Sequence, residues 1–242
     1  MKMRIVYFAM IGLAVFASVG EVLAEEGNPG IVPIGSHFAI GQSYAALGAQ
    51  WWQWALQAPT ADNPLLDAMG EKCRVGQSGP VWFLAGTLGS GTPTSRECEI
   101  PSDKLIFFPV INEGYFAFLN DRDRTPEFLR AQLQCQDVQN LSVRIDGQAV
   151  ARPEKFVTSA KDSPLFEVQL PTDNILGATP SGIPELLLSP SVHKGYYMLL
   201  KPLSPGSHSI AWTATWTCPF GSFSEDIRYN LQVFGGIRPG VE

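Results

Sequence analysis

The stretch HSIAWTATWTC, residues 208–218, decides the fold class. In an extended chain Ile210, Trp212, Ala214 and Trp216 fall on one side, and Ser209, Ala211, Thr213, Thr215 and Thr217 on the other. A period of two separating large apolar from small polar side chains marks a half-buried antiparallel strand. Further strand-like runs lie on both sides of it: PVWFLAGTL (80–88), RECEI (96–100), KLIFFPVI (104–111), PLFEVQL (164–170), GYYMLLKPL (195–203) and EDIRYNLQVFG (225–235). Turn chemistry separates several of them, as in GSGTPTS and PSD, and Asp146-Gly147 inside LSVRIDGQAV reads as a hairpin turn. Segments 59–79, 112–124 and 171–194 read as long loops. The expectation is a mainly β fold, an antiparallel β-sandwich of jelly-roll or Ig-like type with one or two helices packed against it. It takes residues 25–242 as one β-rich domain with a candidate sub-boundary near 137–140.

Two helices are expected in the first half. From Ser43 to Ala58 the apolar period becomes helical, and Pro59 closes it. The second follows Thr125, which suits an N-cap, with Pro126 at the first helical position and Glu127 at the positive end of the dipole. The first helix carries QWWQWALQ, residues 50–57, with three of the six tryptophans in four positions. At about 100° per residue, Tyr44, Leu47, Gly48, Trp54, Ala55 and Ala58 fall within about 60° of Trp51. Gln50, Gln53 and Gln57 take the opposite face. A carbohydrate platform needs exposed, coplanar rings, whereas this pattern describes a helix laid on a sheet with Trp51 and Trp54 as anchors. Trp52, at the edge of the arc, is the exception retained as a ligand contact.

The N-terminus has the form of a secretory leader. Lys2 and Arg4 precede the uncharged run Ile5 to Gly20, and Val22-Leu23-Ala24 places small residues at the −3 and −1 positions before Glu25. The run falls short of the roughly 20 residues that span a bilayer. Cleavage after Ala24 removes Lys2, Arg4 and Glu21 and takes the formal charge from −6 to −7. An acidic chain without a basic run argues against nucleic acid or an anionic membrane surface as partner. With 45% hydrophobic and 17% charged residues the chain has the composition of a packed protein. Four cysteines, Cys73, Cys98, Cys135 and Cys218, suit two disulfides in an exported protein. Of the three pairings, Cys73–Cys98 with Cys135–Cys218 is preferred, the second tying the central helix to a late strand. Zinc is disfavoured because no C-x-x-C pair occurs and no histidine lies near a cysteine.

Catalytic motifs are absent: no G-x-S-x-G, no H-E-x-x-H, no P-loop, and no cofactor motif. His37, His193 and His208 lie far apart and read as surface or structural histidines. The segment NEGYFAFLNDRDR, residues 112–124, holds Glu113, Asp121 and Asp123 among Tyr115, Phe116 and Phe118. Carboxylates among aromatics are the material of a sugar site, in which one acid protonates a leaving oxygen and the other serves as base or nucleophile. A calcium loop is disfavoured because Arg122 and Arg124 alternate with the aspartates and no glutamate closes the loop. No metal site is assigned.

Four blocks occur in order: GQSYAALGAQWWQWAL (41–56), VGQSGPVWFLAG (75–86), KLIFFPVIN (104–112) and GYYMLLKPLSPGSHSIAWTA (195–214). Together they give a chain that resembles a group of uncharacterised, signal-peptide-bearing exported bacterial proteins. The resemblance implies bacterial export, to the periplasm or beyond, and a shared scaffold; it maps no catalytic residue. The leading expectation is a non-enzymatic envelope or extracellular protein that binds a ligand or partner, a carbohydrate or an envelope protein, with Glu113, Tyr115 and Trp52 as contacts. The alternatives are a secreted polysaccharide hydrolase using Glu113 with Asp121 or Asp123, and a structural subunit of a surface assembly.

Overall fold

The computed structural model describes residues 30–35 and 41–235. The leader, its cleavage site and His37 lie outside the described residues. Two five-stranded sheets pack face to face, each with one parallel pair in an otherwise antiparallel arrangement. The first is ordered β1 (Val81–Phe83), β3 (Leu105–Phe118), β8 (Leu187–Leu200), β6 (Val157–Thr158), with β7 (Phe166–Gln169) also pairing with β8. The second runs β2 (Thr94–Pro101), β10 (Gly221–Phe234), β9 (Gly206–Cys218), β4 (Gln136–Ile145), β5 (Gln148–Ala149). The expected mainly β sandwich is the one observed, and the parallel pairs, β1 with β3 and β2 with β10, are what the sequence did not suggest.

β9 carries the alternation through: Ile210, Trp212, Ala214 and Trp216 are buried and their neighbours are not. Its Trp212 stacks on Phe108 of β3 at 4.6 Å between centroids, joining the two sheets. β3 is different in kind. Every residue from Leu105 to Ile111 is buried, as in a strand covered on both faces. Phe108 faces the second sheet, while the adjacent Phe107 meets Tyr44 of helix α1 (Tyr44–Gln57) edge-on at 6.0 Å. The helix therefore lies on the outer face of the first sheet. Ser43 caps it by accepting from Ala46 N, and Trp51 and Trp54 donate their indole N–H groups to Leu84 O and Val75 O.

Several boundaries moved. Residues 112–118, expected in a loop, continue β3, because pairing with β8 runs to Phe118 with register shifts after Pro109 and Phe116 absorbing the irregularity. β8 starts at Leu187, inside the expected 171–194 loop. The second helix, α2 (Pro126–Ala131), ends before Cys135, so that cysteine leads into β4 and does not sit on a helix. Residues 137–140 lie within β4, which pairs with β9.

Both preferred disulfides are present, Cys73–Cys98 and Cys135–Cys218. The first pins the loop 59–79 against β2. The loop's Met69 O accepts from Glu97 N and so covers that strand's outer edge. The second closes 83 residues of sequence, worth about 4–5 kcal/mol in the chain-entropy view. Two disulfides point to an oxidising, extracytoplasmic environment. No helix among the described residues is long and apolar enough to cross a membrane.

Candidate functional site

At one end of the interface between the sheets, helix α1, the far half of β3, the loop 84–89 and the β9–β10 turn leave a cavity of about 480 Å³. That volume is in the range of small-molecule pockets. Aromatic rings form one part of its wall, including Trp51, Trp52, Tyr115, Trp216 and Phe223, and polar side chains form another, including Thr87, Gln134, Glu113 and Glu225. Leu88 and Phe220 stand at its mouth at 61% and 66% exposure, too apolar and too open to be explained by the core.

Trp52, Glu113 and Tyr115 thus share one cavity wall. Trp52 is half-buried, edge-on to Trp51 and Phe116 at 5.1 Å each, and Gly114 makes room for both the Phe116 ring and the indole, which a Cβ there would approach to 2.5 and 3.1 Å. Burial raises the Tyr115 hydroxyl above its ordinary pKa, and the negative charge of Asp121 adds to the shift. Glu113 is largely occupied. Its Oε1 accepts from Gln134 N and its Oε2 from Cys135 N, at 3.1 and 3.2 Å, and Lys194 Nζ lies 3.5 Å away. Lys194 in turn donates to Leu133 O and Cys135 O. The pair fastens the disulfide-anchored segment 133–135 to the sheet and shapes that side of the cavity.

Asp121 and Asp123 do not line this cavity with Glu113. Asp121 accepts from Phe118 N and closes its own turn. Asp123 accepts from Thr125 N and Oγ1, bonds that hold its pKa below the usual carboxylate range.

The second carboxylate of the cavity is Glu225, which the sequence reading passed over. It sits on β10, whose inward row is Ile227, Tyr229, Leu231 and Val233, all buried. Counting back by two places Glu225 on that same face, opposite Ala214 of β9. A carboxylate on the apolar side of an alternating strand was the available signal. Thr87 N and Oγ1 both donate to it, and Gly86 gives it space, since a Cβ there would come within 3.0 Å of Oε1. Burial raises its pKa, and the Thr87 bonds offset only part of that. The loop that presents Thr87 is held by Arg96, a fully buried guanidinium. Its Nη1 donates to Ala85 O, Gly86 O and Tyr229 Oη, and its Nε to Asp67 O.

His193 is also buried, away from the cavity. Its Nε2 lies 2.8 Å from Ala45 O, which can only accept, so Nε2 carries the proton and Nδ1 accepts from Tyr197 Oη at 2.9 Å. Asn112 and Trp52 turn their N–H groups toward the Tyr197 oxygen without closing full hydrogen-bond geometry. This is a structural network tying α1 to β3 and β8. His208, on the opposite rim, pairs with Asp146 at 2.7 Å. Among the described residues no group of three or more His, Cys, Asp or Glu side chains is arranged to hold a metal ion.

The chain matches no family model, no curated protein and no solved structure.

Proposed function

We propose that the protein is exported to a bacterial envelope or the surrounding medium and there binds a small, partly apolar molecule in the cavity beside Trp52 and Trp216, without transforming it. The observation that carries this reading is the cavity: about 480 Å³, a wall that combines aromatic rings with polar side chains, and exposed apolar side chains at its mouth. The polysaccharide hydrolase has less support. It needs Glu113 and a second carboxyl free across an open cleft, and Glu113 is held by two backbone amides and Lys194.

The test uses N-phenyl-1-naphthylamine, a neutral apolar fluorophore. Saturable fluorescence enhancement with one site per chain is expected. Gln134→Trp, a substitution at an exposed position on the cavity wall, should weaken it by about tenfold or more. Enhancement that never saturates, or that is indifferent to Gln134→Trp, sinks the pocket reading.

A further inference from the structure

The charges on the cavity wall do not balance, and this says what would fill it. Glu113 has its cation, Lys194, behind it. Glu225 has none: among the described residues no lysine, arginine or histidine lies within ion-pair distance. Arg96 is the cation whose field reaches Glu225, but its guanidinium is committed to three backbone carbonyls and the Tyr229 hydroxyl. A half-buried carboxylate held by Thr87 and the Gly89 N–H, with no ion-pair partner, is costly to ionise, and burial outweighs these bonds and the Arg96 charge and holds its proton more tightly than usual. Around it the wall is aromatic, with Trp216 and Phe223 from the same hairpin and Trp52 and Tyr115 from the other layer. Aromatic faces attract cations, and Trp216 already does so here, with Lys194 Nζ 5.3 Å from its ring centroid.

Resting on the pocket reading, we infer that the ligand is a small organic cation, an ammonium with an apolar body, whose charge is neutralised by Glu225 and whose alkyl groups pack on the Trp52, Tyr115 and Trp216 rings. The rival for Glu225 is a protonated carboxyl that donates to a neutral ligand, as a sugar hydroxyl would accept. The two differ in what the loss of the charge does.

Calorimetric titration of the mature protein at low salt would use choline and its uncharged isostere 3,3-dimethyl-1-butanol, with N-phenyl-1-naphthylamine displacement as a second readout. Choline should bind about tenfold or more tighter than the isostere and should displace the fluorophore. Glu225→Gln should abolish the preference, and a near-ultraviolet circular dichroism spectrum matching that of the native protein would show that the variant is folded. Glu225→Asp, which keeps the charge, should retain a reduced preference. If the fluorophore binds but the native protein does not prefer choline, or if the preference survives Glu225→Gln, the cation inference is overturned and the pocket stands. If neither the fluorophore nor choline binds, the pocket reading itself falls and takes this inference with it.

Discussion

Gly48 looks wasteful in a helix, where glycine costs up to about 1 kcal/mol relative to alanine. Its position explains it. A Cβ there would sit 2.3 Å from Cε1 and 2.9 Å from Nε2 of His193, a ring fixed at both nitrogens by Ala45 O and Tyr197 Oη. The ring has no room to retreat, so overpacking, typically about 1–3 kcal/mol, outweighs the gain in propensity. Gly48→Ala should lower stability by about 1–2 kcal/mol in urea unfolding. Stabilisation, the sign propensity alone gives, would show that the His193 ring is free to move. The sequence placed Gly48 on the apolar arc but could not say what faced it, since His193 is 145 positions further on.

Elements were legible to the extent that their reasons are local. Helix α1 was readable because its cap, its apolar arc and its terminating proline all lie within one stretch, and α2 because Thr125 and Pro126 do. β9 was readable from its period. β3 and β8 were cut short because a strand buried on both faces loses alternation, and because bulges interrupt the one-to-one register that a sequence pattern assumes. Of the candidate site, Glu113 and Tyr115 were visible within one segment and Trp52 at the edge of the helical arc. Glu225 was not, because the cavity joins it to them only through the packing of two sheets. The β4–β5 hairpin was foreseen from Asp146-Gly147, and both residues have positive φ, 49° and 78°, as its tight turn requires. Asp146 does more than turn the chain. One oxygen accepts from Ser209 N and the other pairs with His208 Nδ1, while His208 Nε2 faces Ser204 O at 2.9 Å. Partial burial lowers the His208 pKa, but the Asp146 and Ser204 bonds outweigh it and the net shift is upward. The folded state then holds its proton to higher pH than the unfolded chain does. The resulting stability is fully present below the unfolded pKa and is lost as pH rises through the folded one. Proton-detected titration should place His208 above the ordinary histidine value of 6.5, and Asp146→Ala should bring it back toward that value. A His208 resonance indifferent to Asp146→Ala would remove the pair from the account of this hairpin.

At the scale of the whole molecule the layers are held by unlike means. Stacked aromatics join the sheets, disulfides pin the long loop and the start of β4, and a polar network through His193 joins the helix layer to the first sheet. That network makes acid the condition that should loosen the fold. Burial holds the His193 pKa down at about 4 against 6.5 in the unfolded chain, and the bond to Ala45 O opposes the shift only in part. Between those values the unfolded state binds the extra proton, so stability falls as pH drops from about 6.5 toward 4 and the loss is complete below both. A difference of that size corresponds to about 3 kcal/mol. Other groups titrate nearby. His208 and Glu225, with their raised pKa values, both work in the opposite direction, because the folded state binds their protons more tightly than the unfolded chain does. The comparison that isolates His193 is therefore between native and His193→Gln proteins, each unfolded in urea at pH 7.5 and again at pH 4.5. His193→Gln should be the less stable of the two at neutral pH, because it breaks the bonds to Ala45 and Tyr197. On acidification, however, it should lose about 2–3 kcal/mol less than the native protein. Parallel losses in the two proteins would mean that the buried imidazole is not what acid attacks, and the weak point would then have to be sought among the carboxylates that bond backbone amides, Asp67 first, whose three N–H partners outweigh its burial and hold its pKa low.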